Sequence, residues 1–210
     1  ITGEVRYADF VKAMLQKYAA LYPTLGNHPA ATSSSPGRLF HQSLNECVWL
    51  VYVSQAYDCV FDTLTTEDRA RFEAQIFRPM AHFLADERAE EFDRIHNHGT
   101  WAAAAVGLAG YAMGDAELVK KALYGSKMDG VGGYLRQLDG LFSPDGYYCE
   151  GPYYARYALM PFYLLAQVVQ NNQPDLKIFE RRDGLLGKAL YALLQQTYIH
   201  GEFFPINDSM

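Results

Sequence analysis

Residues 94–101, RIHNHGTW, gather two imidazoles and a carboxamide directly before a small, apolar run, AAAAVGLAGYA. Three chemistries fit. His96 and His98, two apart, can chelate a metal from an extended segment, though zinc needs a third and usually a fourth ligand. Glu150, His200 and Asp208 are conceivable partners, but nothing in the sequence fixes their spacing. Alternatively, Asn97 and His98 hydrogen-bond a substrate carboxylate at the positive end of a helix dipole. In the plainest case Asn97 or Thr100 caps the helix and the imidazoles are surface or satisfied core groups. The motif alone does not choose.

A second constellation is SPDGYYCEGPYYARYALMPF, residues 143–162. Ser143-Pro-Asp-Gly is a β-turn signal. If a helix starts near Pro152, Tyr154 and Tyr157 share a face at i, i+3 while Tyr153 turns away. Three tyrosines with Arg156 and Glu150 are costly to bury, because each hydroxyl or charge needs a partner. Core packing and a polar pocket both remain open. Two further stretches carry polar side chains that caps or turns also explain. One is FHQSLNEC (40–47), with Gln42, Asn45 and Glu46; the other is HGEFFPINDS (200–209), with Asn207.

The elements that must position these groups are helical. Residues 7–23 place Phe10, Met14, Tyr18 and Leu21 at helical spacing and end at Pro23. Residues 26–38 read as a loop, and 43–64 as a long, nearly all-apolar inner helix. The segment from Thr65 opens with a capping-box relation to Asp68 and carries one charged face, so it should lie outside. Its acidic residues over 67–93 are most cheaply explained as a solvated face. The small-residue helix runs to Met113. Helices follow over 115–125 and after Pro152, and the last spans GLLGKALYALLQQTYIHG. No segment alternates well enough to be a strand. The pattern predicts an all-α fold, antiparallel helix hairpins arranged as an (α/α) toroid or an irregular bundle.

Composition narrows the function classes. Half of the 210 residues are apolar and the net charge is −6, with no basic stripe, so nucleic acid is not an expected partner. No run is long and apolar enough to predict a transmembrane helix. Cys47, Cys59 and Cys149 lack CxxC spacing, which argues against a disulfide framework or structural zinc. Cys47 and Cys59 are expected to be buried thiols. Sixteen Tyr and twelve Phe suit either sugar faces or helical cores. Nucleotide-binding, serine-hydrolase and zinc-protease motifs are absent. The start without a leader and the end just after a turn signal lead us to expect a fragment of a longer chain.

Taken together, QSLNECVWLVY, NHGTW, PDGYYCEGPYYARYALMPF and FFPINDS resemble the helical domain of alginate lyase and heparinase II/III-like polysaccharide lyases. The likeness is greatest to oligoalginate lyases of polysaccharide lyase family 17 and spans nearly the whole chain. It implies one helical domain over 1–210, an incomplete (α/α) toroid, followed in the parent chain by a β-sandwich domain. Carried over residue by residue, Asn97 and His98 become the carboxylate-neutralising pair and Tyr154 the catalytic tyrosine. Arg156 and Tyr157 would line the sugar subsite, and Gln42 and Asn45 would touch substrate. The family's second-domain residues and its metal site have no counterpart here, so no metal or cofactor is expected of these residues. An acidic oligosaccharide, alginate or a glycosaminoglycan, is the implied substrate, and the periplasm or exterior the implied location.

A uronate lyase removes the proton next to a carboxylate and expels the linked sugar by β-elimination. Amide and imidazole donors on that carboxylate would stabilise the charge that develops there. A tyrosine, ordinarily protonated at neutral pH, can supply the proton for the leaving oxygen; as a base it would need help from a cation such as Arg156. A non-catalytic sugar-binding domain, a glycosidase-like toroid and a purely structural helical module are the rival expectations.

Overall fold

A computed structural model describes residues 3–30 and 35–208. Among these residues ten α-helices form the frame: α1 (Val5–Leu21), α2 (Ser43–Val60), α3 (Thr66–Phe72), α4 (Arg78–His82), α5 (Ala89–Asp93), α6 (Asn97–Met113), α7 (Ala116–Tyr124), α8 (Gly133–Gly140), α9 (Pro152–Asn172) and α10 (Arg181–Gln195). Among the described residues there are no strands, only isolated bridges between Phe142 and Tyr148 and between Thr197 and Phe203. No described helix is long and apolar enough to cross a membrane.

The small-residue helix α6 is the hub. Residues Gly99 to Gly110 are all buried, and α2, α5, α7, α8 and α9 pack around it. Small side chains allow that closeness. A Cβ on Gly107 would meet Leu165 Cδ1 at 2.7 Å, and one on Gly110 would meet the Val119 backbone nitrogen at 2.9 Å. Here burial on every side follows from residue size as well as hydrophobicity.

The outer segment from Thr65 starts as its sequence predicts, with Thr65 Oγ1 accepting from the Asp68 N–H at 3.1 Å. It is not one straight helix. Two π-helical turns, Glu73–Phe77 and Phe83–Glu87, separate α3, α4 and α5. They fall among fully buried Phe72, Ile76, Phe77, Met80 and Phe83, a bulky inner face.

The structure defines the covered side of α1 and corrects one expectation. In α1 the buried positions are Leu15 and Ala19, continued by Tyr22, while Phe10 is 69% exposed and Leu21 43% exposed. Met14 and Tyr18 of the stripe at helical spacing are half-buried and pack against the core, so that stripe is covered at its middle and exposed at its ends. Cys47 is buried, but Cys59 is exposed and lines a groove of about 680 Å³ between α1 and α2.

Candidate active site

The loop entering α6 is held from beneath by Gln137, which is fully buried. Its Nε2 donates to the Arg94 carbonyl at 2.7 Å, and its Oε1 accepts from the His96 N–H at 3.2 Å. The chain then folds so tightly that a Cβ at position 99 would overlap the Arg94 carbonyl oxygen. Glycine in HNHG is therefore a steric requirement. The capping residue is His96, not Asn97 or Thr100: its Nδ1 accepts from the His98 N–H at 3.4 Å.

Asn97 is the first residue of α6 and is 2% exposed. Its Nδ2 donates to Glu150 Oε2 at 2.6 Å, and its backbone N–H donates to Glu150 Oε1 at 3.2 Å. Tyr148 donates its hydroxyl to the same Oε1 at 2.9 Å. A carboxylate only accepts, so the orientation of the Asn97 amide is chemically fixed, with its second N–H and its Oδ1 directed elsewhere. Glu150 also occupies the anion position at the start of α6. The helix end is thus satisfied internally, and a substrate carboxylate would be met by side chains rather than by these backbone N–H groups.

His98 is oriented in the same way by a different acid. Its Nδ1 lies 2.6 Å from Glu91 Oε1, on α5. The ionised carboxylate places the proton on Nδ1 and leaves Nε2 as the free nitrogen. His96, edge-on to His98 at 5.0 Å between ring centres, is held below the ordinary imidazole range. Burial is the main cause, with His98 and Arg94 adding to it against Glu150 and Glu91.

Helix α9 begins at Pro152, and Gly151 before it has φ +90°, with no room for a side chain against the Ile206 carbonyl oxygen. The tail segment is pinned here. Asn207 Nδ2 donates to Cys149 O at 2.9 Å and to Tyr147 Oη at 2.8 Å. Tyr154 and Tyr157 are both half-buried against the core. Tyr157 stacks at 5.0 Å on Trp101 of α6, and its phenol is pushed up to about 12, chiefly by burial, with Cys47, Tyr52 and Tyr154 near enough to contribute. Tyr153 packs edge-on to Tyr154 at 5.9 Å. The Arg156 guanidinium lies 4.3 Å from the centre of the Tyr153 ring and is exposed.

The helix-opening stretches singled out from the sequence therefore meet at one end of the fold. Glu150 joins the starts of α6 and α9, and Trp101 with Tyr157 joins their next turns. The first turn of α2 reaches His98: Ser43, Leu44 and Cys47 line a small cavity together with Glu91, His98 and Ala102. Gln42 and Asn45 sit on that turn, half-buried, their side chains without hydrogen-bond partners among the described residues. The Tyr154 hydroxyl likewise has none.

Glu91 and Glu150 are the contributors that sequence reasoning did not assign to this site. In the sequence Glu91 falls in the stretch read as a solvated face, and Glu150 stands out only as a conceivable metal ligand and as one charge of the tyrosine-rich stretch. Among the described residues no group of three His, Cys, Asp or Glu side chains is placed to hold a metal ion.

The all-α chain thus brings an Asn-His pair and a tyrosine to joined helix entrances. Residues 1–203 match the alginate lyase family model, and the chain belongs to that family. It is 53% identical over all 210 residues to an exo-oligoalginate lyase of Saccharophagus degradans. It is 54% identical over the same length to an alginate lyase of Stenotrophomonas maltophilia. The chain spans 28% of the length of each of these relatives.

Proposed function

We propose that these residues form part of the catalytic site of a polysaccharide lyase that cleaves uronate-containing oligosaccharides, alginate foremost, by β-elimination. Asn97, through its free N–H, and His98, through Nε2, would hold the substrate carboxylate. As the proton leaves the neighbouring carbon, negative charge moves onto that carboxylate, and preorganised donors stabilise it most at that point. The carbon–oxygen bond to the next sugar then breaks, a carbon–carbon double bond forms, and the leaving oxygen takes a proton. Tyr154 is the proton-transfer group. Tyr157, Arg156, Gln42 and Asn45 would shape the sugar subsite.

The observation that carries this reading is the pairing of held and free groups within an alginate lyase family chain. The amide and imidazole are oriented by acids at the start of α6, and the unpartnered phenol stands at the joined start of α9. The substrate named for the relatives supports alginate over a glycosaminoglycan. The relatives' greater length supports a further domain of the parent chain as a contributor to the complete site. The test is made with the protein at its full natural length. Incubated with alginate oligosaccharides, it should generate the ultraviolet-absorbing unsaturated product, and Tyr154→Phe should not. Binding without that chromophore would favour a non-catalytic sugar-binding domain; new reducing ends without it would indicate hydrolysis.

A further inference from the structure

We infer that Glu91 is a positioning residue that decides which nitrogen of His98 faces the substrate, an inference that rests on the lyase reading for its functional meaning. The geometry is specific. Glu91 Oε1 lies 2.6 Å from His98 Nδ1, and both side chains are largely buried, at 19% and 22% exposure. The other oxygen, Oε2, is 3.4 Å from Arg94. The acid comes from α5 and the imidazole from α6, two elements joined only by the tight loop that Gln137 holds in place.

A neutral imidazole has one donor and one acceptor nitrogen. With Nδ1–H committed to Glu91, the acceptor is Nε2. A proton gained at Nε2 makes the ring a cation, and the Glu91 carboxylate offsets that charge at hydrogen-bond distance. The ring can then donate Nε2–H to a substrate carboxylate while its orientation stays fixed. Without Glu91, Nδ1 would lose its acceptor, the ring would be free to rotate, and the alternative tautomer would become accessible. Asn97 needs no such help from Glu91, because Glu150 orients it separately.

The experiment compares Glu91→Gln, Glu91→Ala, His98→Ala and the Glu91→Ala/His98→Ala double variant in the protein at its full natural length. Glu91→Gln keeps an oxygen acceptor for Nδ1–H but removes the charge, so it guards against a variant that fails to fold. Turnover on alginate oligosaccharides should fall about 10- to 100-fold in Glu91→Gln, by analogy with loss of the carboxylate partner of a metal-bound histidine, with little change in KM. Glu91→Ala should lose at least as much, yet cost nothing further in the His98→Ala background. Selective ¹⁵N-histidine spectra, independent of activity, should show His98 protonated at Nδ1 in the wild type and shifted toward the Nε2–H form in Glu91→Ala. An unchanged tautomer in Glu91→Ala, or a loss that simply multiplies with that of His98→Ala, would overturn the inference. Absence of unsaturated product from the wild type would overturn the lyase reading instead, and the tautomer spectra would still decide the role of Glu91.

Discussion

The entrances of α6 and α9 are joined by Glu150 but are built on opposite plans. At α6 the donors are tied down: Asn97 to Glu150, His98 to Glu91, and the connecting loop to Gln137. At α9 the Tyr154 hydroxyl has no partner among the described residues, and its ring rests against Tyr153 and the core. A group that recognises charge works best when its orientation is fixed before the ligand arrives. A group that gives up or takes a proton must be able to change partners during the reaction. On the proposed reading this contrast separates recognition from proton transfer, and substitutions can test that separation.

The largest effect is expected at the free group. Tyr154→Phe keeps the ring packing and removes only the hydroxyl, so turnover should fall about 10²- to 10⁴-fold, the usual range for a lost acid–base group. Thermal stability should barely move, because no hydrogen bond is broken. The absorbance assay and a melting curve on the same sample check both halves. Turnover within a few-fold of wild type would remove the proposed division of labour.

At the tied entrance the two readouts should move together. Asn97→Ala should cost about 10²- to 10³-fold in turnover, as for removal of one oxyanion donor. It also deprives the Glu150 carboxylate of its 2.6 Å donor, which should lower stability by about 1–3 kcal/mol. Denaturant titration beside kinetics measures the pair. Loss of activity with full stability would mean that Glu150 does not hold this amide in solution.

The far end of α6 supplies the control. Gly110→Ala forces a methyl against the Val119 backbone nitrogen and should destabilise the fold by about 1–3 kcal/mol. Turnover per folded molecule should be unchanged, because Gly110 lies several turns from Asn97. A change in KM would show that packing at the hub reaches the site.

The smallest effect concerns His96. Because its folded state disfavours the charged ring, chiefly through burial, the stability it contributes is full above the ordinary imidazole value of about 6.5. That contribution is lost as pH falls through the lower folded value. Denaturation midpoints measured across this window should decline on acidification in the wild type and decline less in His96→Gln. Equal slopes would contradict the assignment.

Much of this arrangement was legible in the sequence. The end of α6, the boundaries of α7, the Thr65 cap, the turn at 143–146 and a helix starting at Pro152 all follow from small-residue runs, capping residues and proline. The resemblance to alginate lyases is matched by the family to which the chain belongs. What stayed hidden depends on contacts between distant parts of the chain. Glu150 lies 53 positions from Asn97, and no periodicity links them. Glu91 sits in an acidic stretch in which Glu67, Asp86, Glu87 and Glu90 are exposed, so composition disguised it. Cys59 is expected inside and lies exposed, because an apolar neighbourhood in sequence does not reveal which side of a helix is covered. The π-helical turns between α3 and α5 carry no motif at all; they mark where one helix adjusts to a bulky inner face.

The most direct measurement is a crystal structure of the full-length Tyr154→Phe protein with an alginate oligosaccharide bound. The account predicts one uronate carboxylate within about 3 Å of both Asn97 Nδ2 and His98 Nε2, with the ring at position 154 facing the bond to the next sugar. A saccharide bound elsewhere, or one whose carboxylates touch neither side chain, would contradict it.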